Sequence, residues 1–255
     1  MFSEPLHILL TDTGFCSRRA AKNFVIKNEV VVKNLKTGAA HQIRETEISR
    51  LIDSETAVFV NGRQIEKPKR HYFLLNKPKG FVCSKESDRS PVIYSLINGS
   101  YPSLHTVGRL DKDTEGIILL TDNGSFSNRL AHDDFEIAKT YEAELEHKFT
   151  EEEAALAEKL FKKGFKLPAE KKADAFVTKP AKITFSEDFI RCRITVTEGK
   201  FHQIKRMCAF IHNPVINLKR ISIANLELPE DLKPGEYLEL SEQDLMKKLK
   251  FNKNC

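Results

Sequence analysis

Hydrophobic and polar positions divide the chain into a short first segment and a longer second one. In the first, Ser17 precedes a helical pattern from Arg18 to Lys27, and its hydroxyl can accept a bond from a free backbone N–H. Short apolar or β-branched runs predict strands at Val30–Val32, Ala57–Val60 and Arg63–Ile65. Asn61-Gly62 suits the tight turn between the last two strands. The polar stretch Glu66–Arg70 contains a proline and is the candidate linker.

From Tyr72 onward, β-type runs and helical patterns follow one another without strict alternation. Strands are predicted at Phe73–Leu75, Leu104–Val107, Ile117–Thr121, Thr140–Leu145 and Ile190–Val196. Helices are predicted from Pro91 to Asn98, over 125–131, from Thr150 to Lys162 (with Glu153 completing a capping box), from Phe201 to Ile211, and after Ser241. This order favours an α+β fold over a doubly wound parallel sheet.

Composition narrows the class of protein. With 40% hydrophobic and 30% charged residues, the 255-residue chain has the balance of a globular protein. No apolar run approaches the roughly 20 residues needed to cross a bilayer, so no membrane association is expected. The start MFSEPLHILL lacks a basic leader and a cleavage site. Five scattered cysteines without a C-x-x-C pair favour reduced thiols, and a cytoplasmic location is expected.

Positive charge is concentrated at the amino-terminal end. Residues 1–70 contain 12 lysines and arginines against 8 aspartates and glutamates, whereas the rest is nearly balanced. Arg18, Arg19 and Lys22 fall at helical spacing and can form one basic face. Such a face suits a polyanion, usually RNA or DNA; the alternative is an ordinary solvated helix face.

The segment from His105 to Gly116 concentrates acids and bases between two apolar strands. Asp111, Asp113, Glu115 and Asp122 match some positions of a calcium-binding loop. The β-type flanks disfavour calcium, because such a loop lies between two helices. A second alternative is a charged hairpin loop in which Arg109 and Asp111 form a surface pair that contributes little to stability.

Four stretches in order carry a family resemblance: HYFLLNKPKGFVCS, GRLDKDTEGIILLTDNG, AKTYEAELE and EGKFHQIKRMCA. Together they resemble the RsuA-type branch of the pseudouridine synthases. The segment FCSRRAAKNFVIKNEVVV, with VNGRQI after it, is similar to an S4-type RNA-binding domain, although residues 34–50 are longer than that domain usually allows. The resemblance implies an S4-like domain at 1–66. A catalytic domain at 71–255, with a mixed, largely antiparallel β-sheet and flanking helices, would follow it.

The resemblance also implies the reaction. A uridine in RNA loses its C–N glycosidic bond and is rejoined through carbon, with no cofactor and no metal. The N-K-P-K-G-F-V-C-S form is closest to enzymes of 16S rRNA, which implies uridine 516 as the target. The substrate would be rRNA, either free or within a partly assembled small ribosomal subunit. A 23S rRNA enzyme and a non-catalytic RNA-binding ribosome factor stay as alternatives.

Catalytic roles follow from the same resemblance. Asp111 is the proposed nucleophile or base, and the sequence does not choose between attack on the ribose, attack on the pyrimidine, and proton abstraction from the sugar. Tyr141 is expected to lie against the uracil ring. Lys205 is expected to pair with the catalytic aspartate and keep it ionised.

Substrate binding is assigned by resemblance to four further residues. Arg109 would fill the space left by the flipped base or hold a phosphate, because its planar fork suits both. Ile204 would pack on the other face of the base, and Lys200 and Arg206 would bind phosphate. In the S4-like domain the RNA contacts would come from Arg18, Arg19 and Lys22. The histidines His105, His132 and His202 have irregular spacing and are interpreted as structural or RNA-contacting.

Overall fold

The structure, a computed structural model, describes residues 3–131, 135–170 and 173–249. The chain divides into two compact units, Met1–Arg70 and His71–Cys255. The domain limits predicted from the sequence, 1–66 and 71–255, stay predictions. Within the described ranges, none of the helices combines the length and the apolar character that a bilayer crossing requires.

The first unit packs two short helices against a small sheet. Its helices are α1 (Leu6–Asp12) and α2 (Ala21–Lys27). Its strands are β1 (Glu4–Pro5), β2 (Val30–Asn34), β3 (Ala40–Gln42), β4 (Leu51–Ile52), β5 (Thr56–Val60) and β6 (Arg63–Ile65). The sheet order is β3-β2-β5-β6, all antiparallel, and β1 pairs separately with β4. The long 34–50 segment therefore supplies β3, an additional edge strand.

The local sequence explains the strands and the hairpin turn of this unit. Val30, Val32 and Val58 point to one side of the sheet and are almost fully buried, as the two-residue period of a strand requires. Asn61 and Gly62 have φ values of 50° and 78°, which both positions of a tight hairpin turn need. Two predictions were incomplete: α1 was not foreseen, and Arg18–Ala20 form a 3-10 turn before α2, with Ser17 capping that turn.

The predicted linker ends in an anchored residue. Arg70 donates to Glu4 at 2.7 Å and to Asp12 at 2.5 Å, and its side chain is only 12% exposed. Paired charges of this kind hold the last residues of the first unit against its own body. The polar composition of Glu66–Arg70 therefore marks an ordered boundary.

The second unit is built on one sheet. Its strands are β7 (Tyr72–Lys77), β8 (His105–Thr106), β9 (Glu115–Thr121), β10 (Lys139–Leu145), β11 (Lys166–Leu167), β12 (Phe176–Val177), β13 (Lys182–Phe185), β14 (Arg191–Val196), β15 (Val215–Ile223), β16 (Leu226–Glu227) and β17 (Tyr237–Glu239). Its helices are α3 (Gly124–Ala131), α4 (Glu151–Lys163), α5 (Gln203–Phe210) and α6 (Glu242–Leu249).

The main sheet runs β13-β14-β10-β15-β9-β7-β17, with β16 and β8 at its margins. Among the described strands, only β9 and β15 pair in parallel. The predicted α+β class with a mixed, largely antiparallel sheet is therefore confirmed. The S4-like interpretation of the first unit stays a prediction.

Two helix predictions need correction. The segment after Pro91 forms only a 3-10 turn, Ile93–Leu96, because Pro91 and Val92 are used in backbone contacts to Val82. Helix α5 begins at Gln203, and Phe201 and His202 lie in a turn before it. By contrast, Thr150 and Glu153 form the predicted capping box at the start of α4, because that signal is entirely local.

Candidate active site

The loop between β8 and β9 carries Asp111 and is fixed by the segment that follows β7. Gly80 N donates to the carbonyl of Lys112 at 2.8 Å. The Cys83 thiol donates to the backbone O of Leu110 and accepts from the backbone N of the same residue, both at 3.4 Å. The residue directly before Asp111 is therefore held on both of its backbone polar groups.

Lys77 is the third anchor of this loop. Its fully buried ammonium group donates to the carbonyls of Thr114 at 2.7 Å, Lys112 at 3.3 Å and Pro78 at 3.2 Å. Burial lowers the pKa of Lys77 below its ordinary value, against the opposing effect of neighbouring negative groups including Asp113 and Asp111. The N-K-P stretch had no individual role in the sequence prediction, and in the structure it supports the loop that carries Asp111.

Replacing Lys77 with methionine is expected to lower turnover by roughly tenfold to a hundredfold, because a displacement of about 1 Å at a reacting group has an effect of that size. The measurement is the single-turnover rate of the reaction that the resemblance implies, at saturating substrate. Lys79→Met is the matched control, because Lys79 is exposed and its ammonium group donates to the side chain of Asn217 and not to the loop that carries Asp111. Equal losses in the two variants would contradict the anchoring role.

Asp111 lies between two basic side chains from the start of α5. Its carboxylate oxygens are 3.6 Å from Lys205 Nζ and 3.5 Å from His202 Nε2. The Asp111 side chain is 31% exposed, so it is open to a ligand on one side. Lys205 is nevertheless closer to Asp113, at 2.5 Å, and is shared between the two carboxylates.

Asp113 is a neighbour that the sequence did not single out as an ion-pair partner. Burial alone would raise the pKa of Asp113, but the hydrogen bond and the charge of Lys205 outweigh it and lower the pKa. Asp113 is 70% exposed, so solvent screens the pair and its contribution to stability is small. The pair does fix the position of Lys205 beside Asp111.

Asp111 lines an open cleft with a cavity volume of about 130 Å³. Its charged lining residues are the cations Arg109, Lys139, Lys200, Lys205 and Arg220 and the acids Asp111 and Glu198. The excess of cations favours a ligand that carries negative charge. Apolar lining comes from side chains such as Val107, Leu130 and Ile223. A cleft that is largely apolar, with a few polar groups converging on it, is the usual form of a ligand site.

Two predicted base-contacting residues line the same cleft. Tyr141 on β10 is the direct cross-strand partner of Arg220 on β15, so both side chains point to one face of the sheet. Ile204, in the first turn of α5, also lines the cleft and is 5% exposed. An aromatic ring and a branched aliphatic side chain are thus available for a planar ligand.

The structure brings most of the predicted site residues together. Arg109 is exposed at the cleft, and Lys200 also lines it. In the first unit, Arg18, Arg19 and Lys22 are all exposed. None of these three forms an ion pair with an acidic residue in the described ranges.

Arg206 was predicted to bind phosphate, and its position in the structure contradicts this prediction. It is 5% exposed, donates to the carbonyls of Pro168 and Asp174 at 2.6 and 3.1 Å, and lies over the ring of Phe176. Successive helix residues point about 100° apart, so Lys205 faces the cleft while Arg206 faces the protein interior. Arg206 therefore holds the 168–176 segment and does not line the cleft.

The histidines have different surroundings. His105 Nε2 lies 2.7 Å from the hydroxyl of Ser127, a structural contact, whereas His202 lies beside Asp111. His132 falls outside the described residues. The place of His202 was hidden in the sequence because it depends on a left-handed backbone turn, with φ 49° and ψ 30°.

The calcium interpretation of the loop is wrong. Glu115 begins strand β9, and Asp122 accepts from the backbone N of His71 at 2.9 Å and contacts its ring at 2.8 Å. Among the described residues, no cluster of three or more histidine, cysteine, aspartate or glutamate side chains could hold a metal ion. Asp111 and Asp113 share Lys205, whereas Asp122 contacts His71.

Comparison with known proteins agrees with this geometry. Residues 71–210 match the family model for RNA pseudouridylate synthase. The chain is 36% identical to the ribosomal small subunit pseudouridine synthase A of Haemophilus influenzae over 88% of each chain. It is 41% identical to the protein of that name from Yersinia pestis, over 68% of this chain and 71% of the relative.

A solved structure leads to the same family. A crystal structure of pseudouridylate synthase matches 97% of this chain and 100% of its own, with 32% identity and a TM-score of 0.62. The sequence match therefore extends over a shared fold that includes the loop, the strands and the helix around Asp111. The chain belongs to the RNA pseudouridylate synthase family, whose members are isomerases.

Proposed function

We propose that this enzyme converts one uridine of 16S rRNA, uridine 516, to pseudouridine in the cytoplasm, acting on free rRNA or on a partly assembled small subunit. The observation that carries the chemistry is the half-buried Asp111 between Lys205 and His202 in a cationic cleft. The choice of rRNA is supported by relatives named for the small ribosomal subunit.

Asp111 begins the reaction in this proposal. A carboxylate is ionised at neutral pH, and the adjacent positive charge of Lys205 favours the ionised form. The free side of the side chain faces the cleft, where it can attack the ribose or the pyrimidine ring, or take a proton from the sugar. Lys205 and the loop anchors hold the carboxylate in place for whichever route is followed.

Tyr141 and Ile204 hold the uracil. The ring of Tyr141 covers one face of the base and Ile204 packs on the other, so the detached base stays oriented while it turns to present a carbon to the sugar. Arg109, exposed at the cleft, fills the gap left in the RNA or holds a phosphate, and Lys200 binds the backbone.

The first unit supplies RNA contacts in the manner of an S4-like domain. A uridine inside folded RNA must be unstacked, which costs a few kcal/mol, and contacts to the phosphate backbone offset this cost. Arg18, Arg19 and Lys22 are exposed on one short region of the unit and suit that task. Because phosphate contacts carry no sequence information, recognition of the target depends on RNA shape and on the cleft.

The substrate is tested by mapping pseudouridine in 16S and 23S rRNA with carbodiimide chemistry, in cells with and without the gene. We expect one 16S position, uridine 516, to lose its modification. Reintroducing the wild-type gene restores the signal, and an Asp111→Asn copy expressed at the same level does not.

Other outcomes of the mapping would show which part of the proposed function is wrong. Loss of a 23S position keeps the chemistry and overturns the choice of substrate. An unchanged pattern in both rRNAs contradicts the rRNA proposal and directs the same mapping to tRNA. Restoration of the signal by the Asp111→Asn copy contradicts the role of Asp111.

A further inference from the structure

Phe201 is a large apolar side chain exposed beside the catalytic cleft. Its residue is 42% exposed, and its ring stacks on that of His202 with centroids 3.9 Å apart and planes inclined by 13°. Since one face of the ring is covered by His202, the exposure lies mainly on the other face and the edge. An accessible aromatic face is a surface on which another flat group can stack.

The turn that presents Phe201 is fixed by buried hydrogen bonds. Gln203 N donates to the carbonyl of Lys200, and Lys200 N donates to the side chain of Gln203, both at 3.1 Å. The Gln203 amide in turn donates to buried Glu198 at 2.7 Å. The ring is therefore positioned in advance, so that stacking would order little additional structure.

The backbone of the turn carries strain at His202. Its φ of 49° places a non-glycine residue in the left-handed region, a conformation that persists only where surrounding structure imposes it and that is frequent at functional sites. The effect of this turn is to hold the His202 ring beside Asp111 and to leave Phe201 outside helix α5. A regular helix starting at Phe201 would give neither arrangement.

Phe201 and His202 form a short stack of two rings beside Asp111. The carboxylate of Asp111 is 3.5 Å from His202 Nε2, and Phe201 lies on the ring of that histidine. The 3.9 Å ring spacing is close to the roughly 3.4 Å rise per base in a nucleic-acid strand. A base placed on the outer face of Phe201 would therefore add a third ring to this stack.

The charged residues around the Phe201 ring indicate which class of ligand would bind there. Lys200 precedes Phe201 in the chain, and Lys200, Lys205 and Arg109 line the adjoining cleft. Cations that follow a phosphate backbone, with an aromatic platform between them, are the combination used to bind unpaired nucleotides. The cleft itself takes the target uridine, so the nearest base available to Phe201 comes from a nucleotide next to that uridine.

We propose that Phe201 is a stacking platform for the base of an unpaired nucleotide adjacent to the target uridine, so that the enzyme recognises a single-stranded site of at least two nucleotides. This inference rests on the proposed function, because it takes the RNA to be the 16S substrate. Phe201 acts in binding and in positioning of the RNA. Its removal should therefore change KM more than kcat.

The chain contains no tryptophan, so Phe201→Trp introduces a single fluorescent reporter at the platform. We expect its emission to be quenched when a 16S rRNA fragment containing the target uridine binds. An abasic residue on the 5′ or on the 3′ side of the uridine should remove most of the quenching, and the side that does so identifies the stacked base. Phe210→Trp is the matched control, because Phe210 is also 42% exposed but lies at the far end of α5, whereas Lys200 and His202 on either side of Phe201 line the cleft.

Kinetics on the same fragment give the second readout. Phe201→Ala should raise KM on the order of tenfold, within the range for loss of one base–aromatic stack, with kcat nearly unchanged. Phe201→Tyr should restore the wild-type KM, whereas Phe201→Leu, which keeps apolar bulk without a ring, should not. Phe210→Ala should leave both constants unchanged.

The outcomes separate the two proposals. Absence of turnover by the wild-type enzyme both on this fragment and on a partly assembled small subunit contradicts the proposed function and the stacking inference with it. The stacking inference alone is contradicted if turnover is present but quenching in the Phe201→Trp variant is no larger than in the Phe210→Trp variant, or is insensitive to both abasic residues. Full rescue by Phe201→Leu would also overturn it, since a ring would then be unnecessary.

Discussion

Replacing Asp111 with asparagine is expected to lower the rate of pseudouridine formation by on the order of 10⁴-fold or more, the usual result of removing the group that begins a reaction. Asparagine keeps the shape of the side chain and can neither attack nor accept a proton in the same way. The Asp111 carboxylate is the acid between Lys205 and His202 that faces the cleft. RNA affinity should be retained, because the variant removes no cation from the cleft. The measurement is single-turnover conversion of saturating 16S rRNA together with equilibrium binding.

Asp113→Asn is the matched control for this prediction. It makes the same chemical change two residues away, at a side chain that is 70% exposed and paired with Lys205. Because exposed pairs are worth about 0–1 kcal/mol, we expect less than a tenfold loss of turnover. If Asp111→Asn retains turnover comparable to that of Asp113→Asn, Asp111 is not the residue that begins the chemistry.

Replacing Gly116 with alanine is expected to destabilise the catalytic unit by about 3 kcal/mol, the upper range for a strained backbone position. Gly116 has a φ of 104°, and a Cβ there would lie 2.1 Å from the carbonyl oxygen of Arg220 and 2.8 Å from its backbone N. Both opposing atoms belong to the backbone of β15, which pairs with β9 at this residue. The sheet must therefore open locally or lose this pairing.

Thermal unfolding measures the effect of this substitution. A loss of 3 kcal/mol corresponds to a fall in Tm of roughly 6–12 °C for a unit of this size. Gly108→Ala, in the loop that precedes β9, is the control, because Gly108 has a φ of 70° and no atom within 4 Å of the added Cβ. It should lower stability by only about 1–2 kcal/mol, the cost of the left-handed conformation. Similar Tm values for the two variants would show that the close approach of Gly116 to β15 does not exclude a larger side chain at this position.

Features encoded by neighbouring residues could be predicted from the sequence. The cap at Thr150 and Glu153 and the turn at Asn61-Gly62 depend on residues that are one to three positions apart. The strands from β7 to β10 were found for a similar reason, since their apolar runs are bounded by turn residues. Asp111 was found because its surrounding motif is local and resembles that of a known family.

Features that depend on distant contacts could not be predicted. Lys205 and Asp113 are 92 positions apart in the chain, so their pairing has no local signal. Arg206 was assigned to phosphate binding because the sequence shows only that it is basic and next to Lys205. Which of the two faces the cleft depends on how α5 packs. The start of α5 was misplaced because His202 adopts a left-handed backbone, which is uncommon for any residue other than glycine even though histidine is enriched there.

The parallel pairing of β9 with β15 also determines when the site can exist during synthesis of the chain. Arg220 Nε donates to the carbonyl of Ile117, and the two residues are 103 positions apart in the sequence. His202 and Lys205, the two partners of Asp111, also lie far after it in the chain. Contacts between residues so far apart close large loops and form after local ones. The antiparallel pair of β7 and β9 can order earlier, but the cleft is complete only once the segment through β15 has left the ribosome. A nascent chain therefore has no working site for rRNA while most of it is still being translated.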